Sequence, residues 1–292
     1  MKYSHLTGAG VALITPFNED ESIDFHSLEN IIEHILKGNI DFIVVLGTTG
    51  EASLLSLKEK QDVISFVKKK VAGRVPLVLG YGGISTRALV NGFGDYDFDG
   101  IDAILTVTPF YVKPTQAGLI EHYTAIADRS PRPVILYNVP GRTGVNMEAD
   151  TTVALAAHPN IIGVKEASGK LFQTEEILLK KPEDFILYSG EDALTFHLMN
   201  LGSNGVISVV ANAFPAEVST IVNEKNERRF QSARDAHFAL KVLTKAVFAD
   251  GNPCGIKYVL SKMGLCKNIV RLPLVPVSRA TEQIIDREMS GL

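Results

Sequence analysis

Short apolar runs and amphipathic stretches alternate along the chain. The runs are "GVALITP" (10–16), "FIVVLG" (42–47), "PLVLGYG" (76–82) and "AILTVTP" (103–109), then "PVILYNVP" (133–140), "IIGVKEA" (161–167), "FILYSG" (185–190) and "GVISVVA" (205–211). Brief, β-branched apolar runs fit strands of a parallel sheet covered on both faces. The stretches between them carry helical periodicity. "HSLENIIEHILKG" sets Leu28, Ile31, Ile32 and Ile35 on one face and stops at Gly38. "SLKEKQDVISFVKKKVAG" opens with Ser56 and Glu59 in capping-box spacing and closes at Gly73. "TQAGLIEHYTAIADR" (115–129) and "ALTFHLMNLG" (193–202) play the same part. Alternating strands and helices imply βαβ units with right-handed crossovers. Eight such units predict an α/β fold of the closed (β/α)8 TIM-barrel type, not an open doubly wound sheet.

The strand pattern stops after residue 212. "RFQSARDAHFALKVLTKAVF" (229–248), "CGIKYVLSKMGL" (254–265) and "SRATEQIIDREM" (278–289) read as appended helices. No low-complexity linker intervenes, so a barrel over 1–224 is expected to carry a C-terminal helical extension over 225–292.

Composition narrows the function classes. The 292 residues suit a single α/β barrel. A net charge of −4 gives no electrostatic case for nucleic acid. Two cysteines, Cys254 and Cys266, provide neither a disulfide framework nor a metal knuckle. The seven histidines are scattered, with no two-histidine helix motif, so no metal site is expected. No glycine-rich phosphate cup follows the last two strands, which argues against a pyridoxal phosphate enzyme, and no cofactor is expected. The opening "MKYSHLTGAG" lacks a long apolar core and no run reaches transmembrane length, so a reducing, cytoplasmic setting is expected.

One residue does not fit its run. Lys165 stands inside "IIGVKEASG", although lysine is rarely buried without a partner. The simple reading is a strand end, with Lys165 reaching water or pairing with Glu166. Barrel enzymes, however, carry their chemistry at the C-terminal ends of the strands. That rim would gather "GTTGE" (47–51), "TPFY" (108–111), "YNVPGRTG" (137–144), Lys165, "SGED" (189–192), Ile207 and Ser208. Desolvation in an apolar mouth disfavours the charged amine, and a neutral amine attacks carbonyl carbon. Lys165 then reads as a Schiff-base lysine.

These motifs match a known family. "VALITPF", "GTTGE", "TVTPFYVKPTQ", "ILYNVPGRTG", "NIIGVKEASG", "YSGEDA", "GVISVVAN", "NPCGIKYVL" and "VRLP" span essentially the whole chain. The chain resembles the dihydrodipicolinate synthase (4-hydroxy-tetrahydrodipicolinate synthase) family, within the pyruvate-dependent aldolase and lyase superfamily typified by N-acetylneuraminate lyase. "YNVPGRTG" followed at the proper distance by "GVKEASG" is the specific signal; "GTTGE" alone is weak.

The resemblance implies condensation of pyruvate with aspartate 4-semialdehyde, giving 4-hydroxy-tetrahydrodipicolinate in lysine and diaminopimelate biosynthesis. Lys165 would form the imine with pyruvate. Tyr137 would shuttle protons, with Thr48 and Tyr111 completing a hydroxyl relay and Tyr111 reaching in from a neighbouring subunit. Thr49, with groups near Gly190 and Ile207, would hold pyruvate. Arg142 would bind the carboxylate of the semialdehyde. The resemblance also implies a homo-oligomer, a tetramer built as a dimer of dimers, and no nucleic-acid or membrane partner. A sister lyase cleaving N-acetylneuraminate or a 2-keto-3-deoxy sugar acid is the alternative, although such lyases commonly lack the arginine of "GRTG".

Each residue also has a plainer reading. Thr48 and Thr49 fit a turn and helix start, and Tyr137 fits a barrel-core aromatic. Arg142 fits a loop charge paired with Glu148, Tyr111 fits an interface aromatic, and Glu51 fits a residue that fixes its turn. In relatives that bind lysine, the resemblance places a polar pocket where this chain has Leu57, Lys60, Ile84, Ala88 and Phe110. Ile84 and Ala88 offer no side-chain acceptors for an ammonium, so weak or absent lysine inhibition is expected.

Overall fold

The computed structural model describes residues 2–227 and 229–291. Eight parallel strands close on themselves in chain order: β1 Gly8–Ala12, β2 Phe42–Val45, β3 Leu77–Gly80, β4 Ala103–Val107, β5 Val134–Asn138, β6 Ile161–Glu166, β7 Ile186–Ser189 and β8 Gly205–Ser208. The predicted (β/α)8 barrel is therefore the observed fold. All eight strands are shorter than their sequence runs, and in two of them the cause is visible. β1 begins two residues early and ends at Ala12, because the Ile14 N–H then donates to the Asn212 side chain at 3.1 Å. β8 ends at Ser208, where the Val209 N–H donates to Asp192 at 2.9 Å and the chain turns over Val210–Asn212.

The helices form for the reasons the pattern suggests. Phe25–Lys37 is capped by Asp24 and buries Leu28, Ile31, Ile32 and Ile35. Leu57–Val71 starts with the Ser56–Glu59 capping box. Gln116–Arg129 and Thr195–Leu201 follow their strands. The helix Pro215–Asn226 runs across residue 224, and Phe230–Ala239 packs along it. Residues 229–248, expected as one helix, form two, Phe230–Ala239 and Lys241–Ala249. The break at buried Leu240 lets each half meet different neighbours. The first packs on Pro215–Asn226, the second on Cys254–Lys262 and Arg279–Met289. No described helix is long and apolar enough to cross a membrane.

Two features position the rim. The first is a register shift in β6. Val134 pairs with Ile161, but Ile135 pairs with Gly163, leaving Ile162 as an extra residue between them. One extra residue reverses the in–out alternation of everything that follows. Ile161 and Val134 both belong to the outer core, between strands and helices. Lys165 instead shares a row with Tyr137 and Tyr188, which fill the barrel interior. Glu166 consequently faces the opposite way.

The second feature is a buried ion pair. Lys257, in the helix Cys254–Lys262, donates to Glu51 at 2.5 Å, and neither side chain has any exposure. Lys257 also donates to the Ile269 carbonyl at 2.9 Å and lies 4.0 Å from the centre of the Phe17 ring. The second Glu51 oxygen accepts the Arg271 N–H at 3.0 Å. Glu51 adopts a left-handed backbone, φ 52°, directly after the "TTG" turn. The C-terminal helices are thereby tied to the end of β2. Burial lowers the pKa of Lys257, against the opposing charge of Glu51.

Removing one partner of such a pair strands the other as a lone buried charge. Lys257→Met is expected to cost about 3–5 kcal/mol of unfolding free energy. Adding Glu51→Leu should recover part of that loss, as urea titrations of the single and double variants would show. A single variant as stable as the parent would mean that the pair contributes nothing.

Candidate active site

The end of the barrel to which the strands point opens into a cavity of about 760 Å³. Its walls include Thr48, Thr49, Tyr137, Arg142 and Lys165. Lys165 is only 5% exposed, and its amine lies 4.5 Å from the centre of the Tyr137 ring. Among the described residues it makes no ion pair, so the pairing with Glu166 considered from sequence does not occur. Glu166 instead accepts from Asn138 at 3.0 Å, Gln173 at 3.2 Å and the Ser168 N–H at 2.7 Å. Asn138 also accepts the Met147 N–H at 2.9 Å, which holds the loop after β5.

The two tyrosines beside Lys165 differ. Tyr188 donates its hydroxyl to the Leu6 carbonyl at 2.5 Å and is fully buried. The Tyr137 hydroxyl has no such bond among the described residues, and its ring borders the cavity. Tyr137 is therefore the tyrosine free to exchange protons with a ligand. Thr48 opens a short 3-10 turn and is exposed, whereas Thr49 is buried and accepts from the Asn252 amide at 3.0 Å. Arg142 sits on the helical turn Pro140–Thr143, which Pro140 starts. It is exposed, donates to the Asn252 carbonyl at 3.4 Å, and makes no ion pair with Glu148 among the described residues.

Three other sequence candidates lie around this cavity without lining it. Gly190 backs Lys165 directly: a Cβ there would stand 3.1 Å from Lys165 Cγ and 2.6 Å from the Ala167 Cβ. Ile207 is buried in the barrel interior with Tyr137 and Tyr188. Tyr111 is 87% exposed, with φ +69°, and stands on the surface of the chain. The residues expected at the lysine pocket split as well. Lys60, Ile84, Ala88 and Phe110 line the cavity, while Leu57 is exposed outside it.

Acidic groups complete the rim. Burial raises the pKa of Asp192, although hydrogen bonds from Ser208 and Val209 and the Lys165 charge oppose this. Glu191 is raised too, first by burial and then by the Asp192 charge, while Lys165 and Arg142 pull it down. Both carboxyls thus belong to the electrostatic surroundings of Lys165. Sequence reasoning assigned roles to neither, nor to Asn252. The signals were "SGED" and the head of "NPCGIKYVL", where nothing local says which atoms will meet.

A nearly apolar barrel interior ending in one inward lysine, one uncommitted tyrosine and one rim arginine suits carbonyl chemistry on an acidic substrate. The sequence pattern of the dihydrodipicolinate synthetase family matches residues 5–290. The chain belongs to that family. A 4-hydroxy-tetrahydrodipicolinate synthase from Parabacteroides distasonis is 48% identical over 282 residues, 96% of this chain and 95% of that protein. One from Geobacter metallireducens is 42% identical over 276 residues, 94% of this chain and 95% of its own. Among solved structures, dihydrodipicolinate synthase from Aquifex aeolicus superposes with a TM-score of 0.94 at 38% identity, covering 98% of each chain. A structure described as the first monomeric dihydrodipicolinate synthase variant has a TM-score of 0.95 at 34% identity, covering 98% of this chain and 97% of that one. Membership of the dihydrodipicolinate synthetase family fits the (β/α)8 barrel and the helices that follow it.

Proposed function

We propose that the protein condenses pyruvate with aspartate 4-semialdehyde to 4-hydroxy-tetrahydrodipicolinate, working in the cytoplasm without a cofactor. The observation that carries the reading is Lys165: an unpaired lysine turned into an apolar barrel mouth beside a free tyrosine. Its amine attacks the pyruvate ketone and water leaves, forming an iminium that acts as an electron sink. Loss of a C3 proton gives the enamine, which attacks the semialdehyde carbon. The substrate amino group then attacks the iminium carbon, closes the ring and releases Lys165.

We take the remaining roles from the family resemblance, and the positions described above support them. Tyr137 moves protons to and from the reacting atoms, joined by Thr48 at the turn and by Tyr111 from a second subunit. Thr49 holds pyruvate from one wall, while Gly190 leaves room for the Lys165 stem and Ile207 closes the floor. Arg142, at the exposed lip, takes the semialdehyde carboxylate with its planar fork. The exposed position of Tyr111 supports a site completed by a partner copy. The exposed apolar side chains Leu171, Phe172 and Leu201 offer a further contact surface, which supports a tetramer of paired dimers.

Three measurements test this reading. Borohydride reduction in the presence of pyruvate should add mass to the peptide containing Lys165, and labelling of Lys113 or Lys257 instead would remove the assignment. Arg142→Ala should raise the apparent KM for the semialdehyde by far more than that for pyruvate, since losing one side of such a pair costs about 2–5 kcal/mol. Equal KM values in parent and variant would leave Arg142 a loop residue. Sedimentation equilibrium should find a tetramer, and full activity in a monomer would refute the shared site.

A further inference from the structure

We infer that Asn252 is a positioning residue that fixes the direction of the Thr49 hydroxyl proton, aiming it at the carboxylate of pyruvate. This rests on the reading above, in which Thr49 holds pyruvate. A hydroxyl has one proton to give and lone pairs to receive. The Asn252 Nδ2 donates to Thr49 Oγ1 at 3.0 Å, so Thr49 is an acceptor towards Asn252 and its own proton must point elsewhere. Thr49 is 2% exposed and makes no other side-chain hydrogen bond among the described residues. It lines the cavity, and a ligand there is the acceptor left to it.

Asn252 is built for this one contact. It is 7% exposed, and burying an amide is costly unless it is hydrogen-bonded. Its Oδ1 is buried without any partner among the described residues, so the bond to Thr49 is the only one its side chain makes. The backbone on either side is anchored. The Asn252 carbonyl accepts from Arg142, and the helix Cys254–Lys262 begins two residues later. That helix carries Lys257, whose partner Glu51 stands two residues after Thr49. Donor and acceptor are therefore held by one rigid frame, which orients the hydroxyl before a ligand arrives. The two ends of Asn252 act on different walls: the side chain on Thr49, the carbonyl on Arg142. A side-chain substitution should therefore disturb pyruvate alone.

Asn252→Asp tests the inference with almost no change in shape. The carboxylate can only accept, so the Thr49 proton turns towards it and away from the ligand. The apparent KM for pyruvate should rise about tenfold to a hundredfold, the range for a hydrogen bond to a charged group. The KM for the semialdehyde should stay within about twofold, well under the effect of one lost hydrogen bond. Thr49→Val should raise the pyruvate KM by itself, and adding Asn252→Asp to it should cost nothing more, because the residue acts through the missing hydroxyl. Asn252→Ala replaces Asp in the same cycle if the charged variant does not fold. An unchanged pyruvate KM in Asn252→Asp, with a raised one in Thr49→Val, overturns the inference alone. Additive effects of the two substitutions, or a semialdehyde KM that rises in step, overturn it also. An unchanged pyruvate KM in Thr49→Val overturns the pyruvate-binding role of Thr49 itself.

Discussion

A carboxylate and an ammonium with no contact with water hold this rim together. Isolated, either charge would be strongly unfavourable at that depth, and even together their attraction must offset a large desolvation cost. What makes the arrangement workable is that their other polar positions are satisfied as well. Glu51 takes the Arg271 N–H and Lys257 reaches the Ile269 carbonyl. Such a pair admits little slack: if the helix Cys254–Lys262 drifts, two charges are left unpaired together. The turn that carries Thr48 and Thr49 is thus fixed from outside the barrel. The C-terminal helices buttress the site from behind, and Asn252 joins them to two residues that line the cavity, Thr49 and Arg142.

Within this frame the chemistry is separated by the faces of single strands. β6 presents an amine to the interior and a carboxylate to the loop layer on consecutive residues. The carboxylate is absorbed by Asn138, Gln173 and Ser168, so it does not neutralise its neighbour. The tyrosines flanking the amine are sorted in the same manner: Tyr188 is committed to a carbonyl, and Tyr137 is not. An acid–base group remains available because the neighbouring tyrosine and the Glu166 carboxylate already have partners. Glu191 and Asp192, with carboxyls pushed up by burial, lie within electrostatic reach of Lys165 without forming an ion pair with it among the described residues.

Much of this was legible in the sequence, and the division is instructive. Periodicity located all eight strands and four of the helices between them; the strands stand out because burial on both faces leaves an uninterrupted apolar run. The oddity of Lys165 pointed to the site, since a charge in such a run demands a reason. Strand ends were misplaced where side chains capture backbone donors, as Asn212 does for Ile14 and Asp192 for Val209. These are long-range bonds with no local trace. The helix break at Leu240 was invisible for a similar reason: neither glycine nor proline marks it, and distant neighbours decide it. The partners of Glu51 and of Thr49 are separated from them by about two hundred residues of chain, so no spacing rule could link them.

The extra residue in β6 has a consequence for how such a site can change. Which face of a strand a side chain occupies is a matter of counting, and Ile162 makes the count odd. Point substitutions leave parity untouched; they can alter what stands on the interior row but not which positions belong to it. Straightening the bulge, with the same residues paired in plain alternation, would do the reverse, keeping every side chain while exchanging the amine with the carboxylate beside it. The identity of Lys165 and its address are thus set separately, one by a codon and the other by how the strand pairs with its neighbour. Grafting this lysine onto another barrel would therefore mean matching the row of Tyr137 and Tyr188, because a copied motif without its odd count would deliver the amine to the wrong side of the wall.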